Sequence, residues 1–577
     1  MELTGIGAAP GVAIGPVWRH SSGIAGRAPV PDVAAAAQLA SAELMSLAAR
    51  VRASNRPEDA AIFEAQAMMA LDPMLLEAIA ERIAADPTLS STPAPDRLAA
   101  LVEEVAAAQA ETIAALEDEV LAARAADVRD VGDRIARVVA GRTIDLPDRP
   151  SIAIGDDLPP SVAAEIEDGN LLGIALERGS VTSHAAILAR GLGIPAVVGA
   201  RGLLAAASHT TTNGHGSLTA AVDGETGRVI FEPSADDLRE LQALVRERHA
   251  AGAAARELRG TPGQTADGHP IALLANIGRV EEVARALESG AEGVGLLRTE
   301  FLYIGRAAAP TEDEQAEAYR TVLEAFGDRP VVIRLLDVGG DKPLPYLRLA
   351  PEPNPFLGIR GLRLAHEHRE MLLVQLRAIA RAGANLASVP RVMAPMVATV
   401  EDVEMLAELV RAALAELDAN DIARAARLEV GIMIEVPSAV LLAPELARRV
   451  DFFSIGSNDL TQYVLAMDRT HPELAAAADA LHPAVLRAIK ATVDGAAAAG
   501  IDVAVCGELG GDPIGAPILA GLGIHELSMD PGRLDAVRFA LRTLTRAQLE
   551  ALAAAALAAE TADQVRDIVL SRTAPAG

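Results

Sequence analysis

A histidine stands directly behind two hydroxyl residues in Thr182-Ser183-His184, and the helix-forming run Ala185-Ala-Ile-Leu-Ala-Arg190 comes next. Thr and Ser are good N-cap types, so the spacing predicts a helix that carries His184 in its first turn. Free backbone N–H groups at that end favour negative charge. They disfavour imidazolium, keep the ring a neutral nucleophile near pH 7 and stabilise a phosphorylated imidazole. A histidine beside hydroxyls equally reads as a capping or core residue, and the segment alone leaves both uses open.

A second set of chemically able residues lies in the C-terminal half, at the ends of short apolar runs. Arg298 ends the run Gly293–Thr299, Asp337 the run Val331–Val338 with Arg334 inside it, and Glu435 the run Leu428–Val436. Asn458 and Asp459 end Phe452–Asn458, and Cys506 lies in Asp502–Leu509. Polar groups in otherwise apolar strands cost several kcal/mol unless paired, so they call for partners or a ligand. Glu435 and Asp459 supply hard oxygen ligands suited to Mg²⁺, which takes one or two protein carboxylates and completes its shell with water and substrate oxygens. Arg298, Arg334 and Arg469 could offset charge on a transferring phosphoryl group. A structural ion-pair network is the competing account of the same residues.

The elements that must position these groups follow from periodicity. The strands already named, with Ile271–Ile277, Pro390–Met396 and Glu526–Asp530, make eight, alternating with helical patterns over about 300 residues, the arithmetic of a (β/α)₈ barrel whose site sits at the C-terminal strand ends. The wide spacing from Val338 to Pro390 requires a helical or loop insertion, and the Ala-rich tract near Ala551 reads as a helix. Residues 33–139 show apolar triplets at helical spacing, such as Leu44, Leu47 and Val51, with no glycine between Gly26 and Gly132, which predicts an all-helical insert. The chain is therefore expected to be α/β and multidomain: a β/α domain of residues 1–22 and 144–233, a helical domain of 23–143, a linker helix of 234–261 and a barrel of 262–577.

The chain has 577 residues and a net charge of −28, which argues against general binding to nucleic acid or anionic membranes and suits a basic protein partner or merely an acidic proteome. One cysteine excludes an internal disulfide framework and fits a reducing cytoplasm. No apolar span or signal-like N-terminus is evident, so a protein without membrane insertion is expected.

Thr182-Ser-His-Ala-Ala-Ile-Leu-Ala-Arg190, continuing through Gly193-Ile-Pro-Ala-Val-Val-Gly199, resembles the phosphohistidine signature of the phosphoenolpyruvate-utilising enzyme family. Within it, several segments are similar to the Enzyme I branch: Gly293-Val-Gly-Leu-Leu-Arg-Thr-Glu-Phe-Leu-Tyr303, Asp337-Val-Gly-Gly-Asp-Lys-Pro343, Asn354-Pro-Phe-Leu-Gly-Ile-Arg360, Gly431-Ile-Met-Ile-Glu-Val-Pro437, Ser454-Ile-Gly-Ser-Asn-Asp-Leu-Thr-Gln-Tyr463 and Cys506-Gly-Glu-Leu509. Only about 20 residues precede the helical insert, too few for the nucleotide-binding domain of the dikinase and synthase members.

The resemblance implies that His184 is phosphorylated, that Arg298, Arg334, Asn458, Asp459 and Arg469 contact phosphoenolpyruvate, and that Glu435 and Asp459 hold Mg²⁺. It further implies that Cys506, otherwise read as core packing, protonates the enolate carbon to give pyruvate. Lys342 and Arg360 lie in matching segments as secondary candidates, each equally able to pair with an acidic neighbour. The implied activity is that of a phosphoenolpyruvate-protein phosphotransferase serving a histidine-containing phosphocarrier protein that docks on the helical insert, in a chain that homodimerises through its barrel. In that insert Leu71 stands where many members carry an acidic residue, and a regulatory phosphorelay or dihydroxyacetone-linked branch is the alternative.

Overall fold

In the computed structural model, the described residues are 1–19, 24–53, 57–86, 94–114, 125–144, 146–166, 169–179, 183–209, 218–339, 344, 346–347, 350, 352–469, 471, 474 and 477–573. The chain divides into two units, Met1–Arg248 and His249–Gly577.

In the N-terminal unit the glycine- and proline-broken start forms strands β1 (Glu2–Thr4), β2 (Ile6–Ala9) and β3 (Val12–Arg19), and Ile24–Ala25 and Arg142–Thr143 pair as a small ribbon, β4 and β5. The main sheet is completed by β6 (Ser151–Gly155), β7 (Leu171–Leu176), β8 (Ala196–Val198), β9 (Thr219–Asp223) and β10 (Arg228–Phe231), in the order β1-β10-β9-β3-β6-β7-β8-β2. The first 19 residues therefore belong to the same sheet as residues 151–231: β3 runs parallel to β6, and β2 pairs antiparallel with β8.

The glycine-free stretch is helical. Val33–Ala53, Pro57–Met69, Pro73–Ala85, Pro95–Ala114 and Ala125–Ala140 bury Leu44, Leu47, Phe63, Ile79, Leu98, Leu101 and Ile135 in one core. Its many alanines let helices approach closely, since each side chain adds little volume and no rotamer entropy is lost.

The C-terminal unit is a closed barrel of eight parallel strands: β11 (Ala272–Ile277), β12 (Val294–Leu297), β13 (Val331–Arg334), β14 (Arg391–Ala394), β15 (Glu429–Ile434), β16 (Phe452–Ile455), β17 (Asp502–Val505) and β18 (Glu526–Met529). Each falls within a run that periodicity marks as a strand. Strand residues such as Ile333, Ile432 and Phe453 pack outward against helices in one continuous core, while Leu296, Val332, Met393, Met433, Phe452 and Cys506 form a second cluster. The stretch between β13 and β14 contains two 3₁₀ turns, Pro355–Leu357 and Gly361–His366, and the helix Arg369–Ala382. The Ala-rich tract near Ala551 lies in the helix Arg546–Ala558. Among the described residues no helix is long and apolar enough to cross a membrane.

Candidate active site

The barrel presents its polar residues where the chain turns out of each strand. Arg298 comes directly after β12, Arg334 is the last residue of β13, Glu435 comes directly after β15 and Cys506 directly after β17. Asn458 and Asp459 differ from the strand-end expectation. β16 stops at Ile455, and both residues lie in the first turn of the helix Ser457–Leu465, where an acidic side chain complements the helix dipole. Together with Glu300, Asp337 and Arg469, these side chains line one cavity of about 300 Å³ at the C-terminal end of the barrel.

A chain of ion pairs crosses the cavity floor. Arg334 Nη2 donates to Glu300 Oε1 at 2.6 Å, and its Nη1 lies 3.4 Å from Asp337 Oδ2. Arg360 donates through Nε and Nη2 to the two Asp337 oxygens at 3.2 and 2.9 Å, and through Nη1 to Asp459 Oδ1 at 3.2 Å. Arg469 Nη1 reaches Asp459 Oδ2 at 3.4 Å. Arg360 is only 1% exposed and does not line the cavity, so its role is to fix Asp337 and Asp459 from behind. Burial opposes the charge of Arg334 and Arg360, but the carboxylates around them win and hold both guanidinium groups more firmly protonated than usual. Arg298, by contrast, is exposed, and among the described residues no ion pair to it is formed.

Glu435 is fully buried. Its Oε1 accepts the Met396 backbone N–H at 2.6 Å, while Oε2 has no hydrogen-bond partner among the described residues. Met396 has a φ of 61°, an unfavourable conformation for a non-glycine residue, retained where it aims this N–H at the carboxylate. Gly456 faces the other oxygen: a Cβ there would stand 2.8 Å from Glu435 Oε2. Burial, reinforced by Asp459 and Asp337, pushes the Glu435 carboxyl up to about 8. An orphaned carboxylate oxygen in a cleared space, beside a second carboxylate, is a donor set that fits a hard divalent cation keeping most of its shell for water and substrate. Glu435 and Asp459 are the residues that would hold it.

The Cys506 thiol faces the cavity from the seventh strand end and is 3% exposed. Burial pushes it up to about 11, which keeps it a protonated S–H at neutral pH. Its backbone carbonyl accepts from Asn276 Nδ2 at 2.9 Å, and Asn276 Oδ1 accepts from Ser528 Oγ at 2.6 Å, so β11 and β18 fix the Cys506 loop. Asn458 ties the same wall together, its Oδ1 accepting the Glu508 backbone N–H at 2.9 Å.

His184 lies in the other unit, as the first residue of the helix His184–Leu192. Ser183 is the N-cap, its hydroxyl accepting the Ala186 N–H at 3.4 Å, and Gly193 closes the helix in the left-handed conformation. Arg190 Nη1 donates to the Ala8 carbonyl at 2.7 Å and fastens this helix to β2. Thr182 and Lys342 lie outside the described residues. Sequence reasoning passed over Glu300, Asn276 and Ser528 and ranked Arg360 second. Glu300 sits in a 3₁₀ turn right after Arg298, a spacing that marks it as a strand-end residue too.

Comparison with known proteins agrees with the barrel fold. Residues 252–546 match the PEP-binding domain of the PEP-utilising enzymes, residues 147–227 their mobile domain and residues 4–124 their N-terminal domain. The chain belongs to the PEP-utilising enzyme family. It is 40% identical to the phosphoenolpyruvate-protein phosphotransferase of Streptomyces coelicolor over 98% of both chains. It is 47% identical to a multiphosphoryl transfer protein of Xanthomonas campestris pv. campestris over 75% of this chain, and spans about half of that relative's length (50%). A solution structure described as Enzyme I (nEIt) covers 43% of this chain at 28% identity and a TM-score of 0.33.

Proposed function

We propose that this protein is a phosphoenolpyruvate-protein phosphotransferase, which moves the phosphoryl group of phosphoenolpyruvate to its own His184 and then to a histidine of a small phosphocarrier protein, opening sugar uptake. The observation that carries this reading is the barrel cavity, where Arg298, Arg334 and Arg469 face Glu435 and Asp459 across from the Cys506 thiol. The relatives named as phosphotransferases support the same reaction class.

Arg298, Arg334 and Arg469 hold the phosphoryl and carboxylate oxygens, and fixed positive charge there lowers the barrier to phosphoryl transfer by positioning and electrostatics. A neutral His184 ring attacks phosphorus in line; the N–P bond forms as the bridging P–O bond of phosphoenolpyruvate breaks, leaving the enolate of pyruvate. Cys506 gives its proton to the enolate carbon, and the thiolate recovers a proton from solvent. Glu435 and Asp459 would hold Mg²⁺, which when bound supplies positive charge to the substrate oxygens. The N-terminal backbone of the His184–Leu192 helix stabilises the phosphorylated ring until the carrier's histidine takes the group. One imidazole serves both transfers, so the region bearing it must swivel about stretches near Ile144 and Gly260. We further infer a cytoplasmic homodimer joined through the barrel unit.

The test is incubation with labelled phosphoenolpyruvate, Mg²⁺ and candidate histidine carriers. Label should pass to one carrier with release of one pyruvate per phosphoryl group, and chelation of divalent cations should stop it. Pyruvate release with no protein-bound label in any condition would overturn the reading.

A further inference from the structure

The N-terminal unit contains a second arginine-lined cavity, of about 380 Å³, between the helical insert and the start of the β/α part. Arg134 and Arg137, one helical turn apart on the helix Ala125–Ala140, form its inner wall, and Arg27, Arg50 and Arg142 lie around it. Two lining carboxylates oppose these five cations. Both are already engaged. Glu43 pairs with Arg27 and with Arg134 Nη1, the latter at 3.2 Å, and Glu165 pairs with Arg134 Nη2.

Arg137 receives neither carboxylate. It is 7% exposed, and its Nη2 is buried without a hydrogen-bond partner. A buried guanidinium with an unfilled donor is costly, and two guanidinium groups a turn apart repel, so the arrangement needs a counter-charge. Burial and the neighbouring Arg134 lower the proton affinity of Arg137 and outweigh Asp130, Asp133 and Glu165, which act on it without forming an ion pair. Arg142 at the rim pairs with Asp96 at 2.9 Å, so it is the inner fork of Arg137 that an anion would complete. Guanidinium forks match planar and tetrahedral oxyanions through paired N–H donors.

We propose that this cavity is a binding site for a multivalent oxyanion of the phosphate class, held by Arg137 and Arg134 and closed at the rim by Arg142. The ligand is free phosphate or the phosphate end of a small metabolite; the cavity is of the size that takes a molecule larger than the bare ion. Because the lining joins Glu43 and Arg137 of the helices to Ile144 and Glu165 beyond them, occupancy would brace the insert against the sheet.

Hydrogen exchange on the full chain, read on peptides spanning 125–144, tests this with inorganic phosphate and with glycerol phosphate, each against chloride at matched ionic strength. Exchange should slow several-fold with phosphate and not with chloride, and tighter protection by glycerol phosphate would identify an ester as the ligand. The phosphate midpoint should weaken at least tenfold in Arg137→Gln and about threefold in Arg142→Gln, a partly exposed rim residue that serves if the first variant does not fold. Arg298→Ala, in the barrel, should leave the midpoint unchanged. Equal slowing by chloride, no slowing at tens of millimolar phosphate, or an unchanged midpoint in the folded Arg137 or Arg142 variants would overturn the site.

Discussion

At the barrel mouth three arginines line the cavity together with four carboxylates; the cavity in the N-terminal unit is lined by five arginines and two carboxylates. The barrel residues are cross-linked, each of Asp337 and Asp459 being held by two guanidinium groups, and the buried atoms without a hydrogen-bond partner among the described residues include Arg334 Nε and a carboxylate oxygen of Glu435. In the N-terminal cavity the unpartnered atoms are guanidinium nitrogens only, of Arg27, Arg134 and Arg137, among the described residues. An orphaned carboxylate oxygen beside an orphaned guanidinium nitrogen, against guanidinium nitrogens alone, separates a pocket that calls for a cation with its anionic substrate from one that calls for an anion.

The sharpest way to break the barrel side of this comparison is Arg334→Ala. It leaves Glu300 buried without its ion-pair partner, while Asp337 keeps Arg360, so stability should fall by about 3 kcal/mol in denaturant melts. Phosphoenolpyruvate–pyruvate exchange should drop by about 10³-fold at saturating substrate. Loss of stability with normal exchange would make the network purely structural.

Cys506→Ala is gentler and sharpens the assignment of the acid. Pyruvate formation should slow by about 10²-fold, with phosphoryl exchange between protein and carrier much less affected. With its thiol pushed up to about 11, the wild-type group stays protonated from pH 6 to 9, so it should cause no loss of rate in that range and should alkylate slowly. Equal slowing of both half-reactions would remove the role.

The smallest effect belongs to the N-terminal side. Burial pushes the Asp133 carboxyl up to about 6, so between the ordinary carboxylate range and pH 6 the folded chain holds a proton that the unfolded chain releases. Stability from this group therefore falls as pH rises through that window. Asp133→Asn should flatten the slope and stabilise the unit by roughly 1–2 kcal/mol at pH 7. An unchanged slope in the variant would sink the claim.

The barrel was legible in the sequence because its strands are short apolar runs that end in a polar residue, and that punctuation survives whatever the helices do. Arg298, Arg334, Glu435 and Cys506 could be placed from it directly. Arg360 could not, since its partners Asp337 and Asp459 lie 23 and 99 residues away and only the closure of the barrel brings them together. The displacement of Asn458 and Asp459 onto a helix was hidden because the small residues Gly456 and Ser457 follow the apolar run without a clear break while the backbone has already turned. The cluster of arginines around Arg137 was invisible for another reason: spread over residues 27–142, they are unremarkable in a strongly acidic chain until the helices converge.

The central claim is that one imidazole, that of His184, carries the phosphoryl group. Mass mapping of the chain after a brief exposure to phosphoenolpyruvate and Mg²⁺, under alkaline conditions that preserve phosphohistidine, should find a single modified peptide spanning His184 and none in His184→Ala. A phosphoryl group retained by the folded His184→Ala chain, or mapped to another residue of the wild type, would contradict the account.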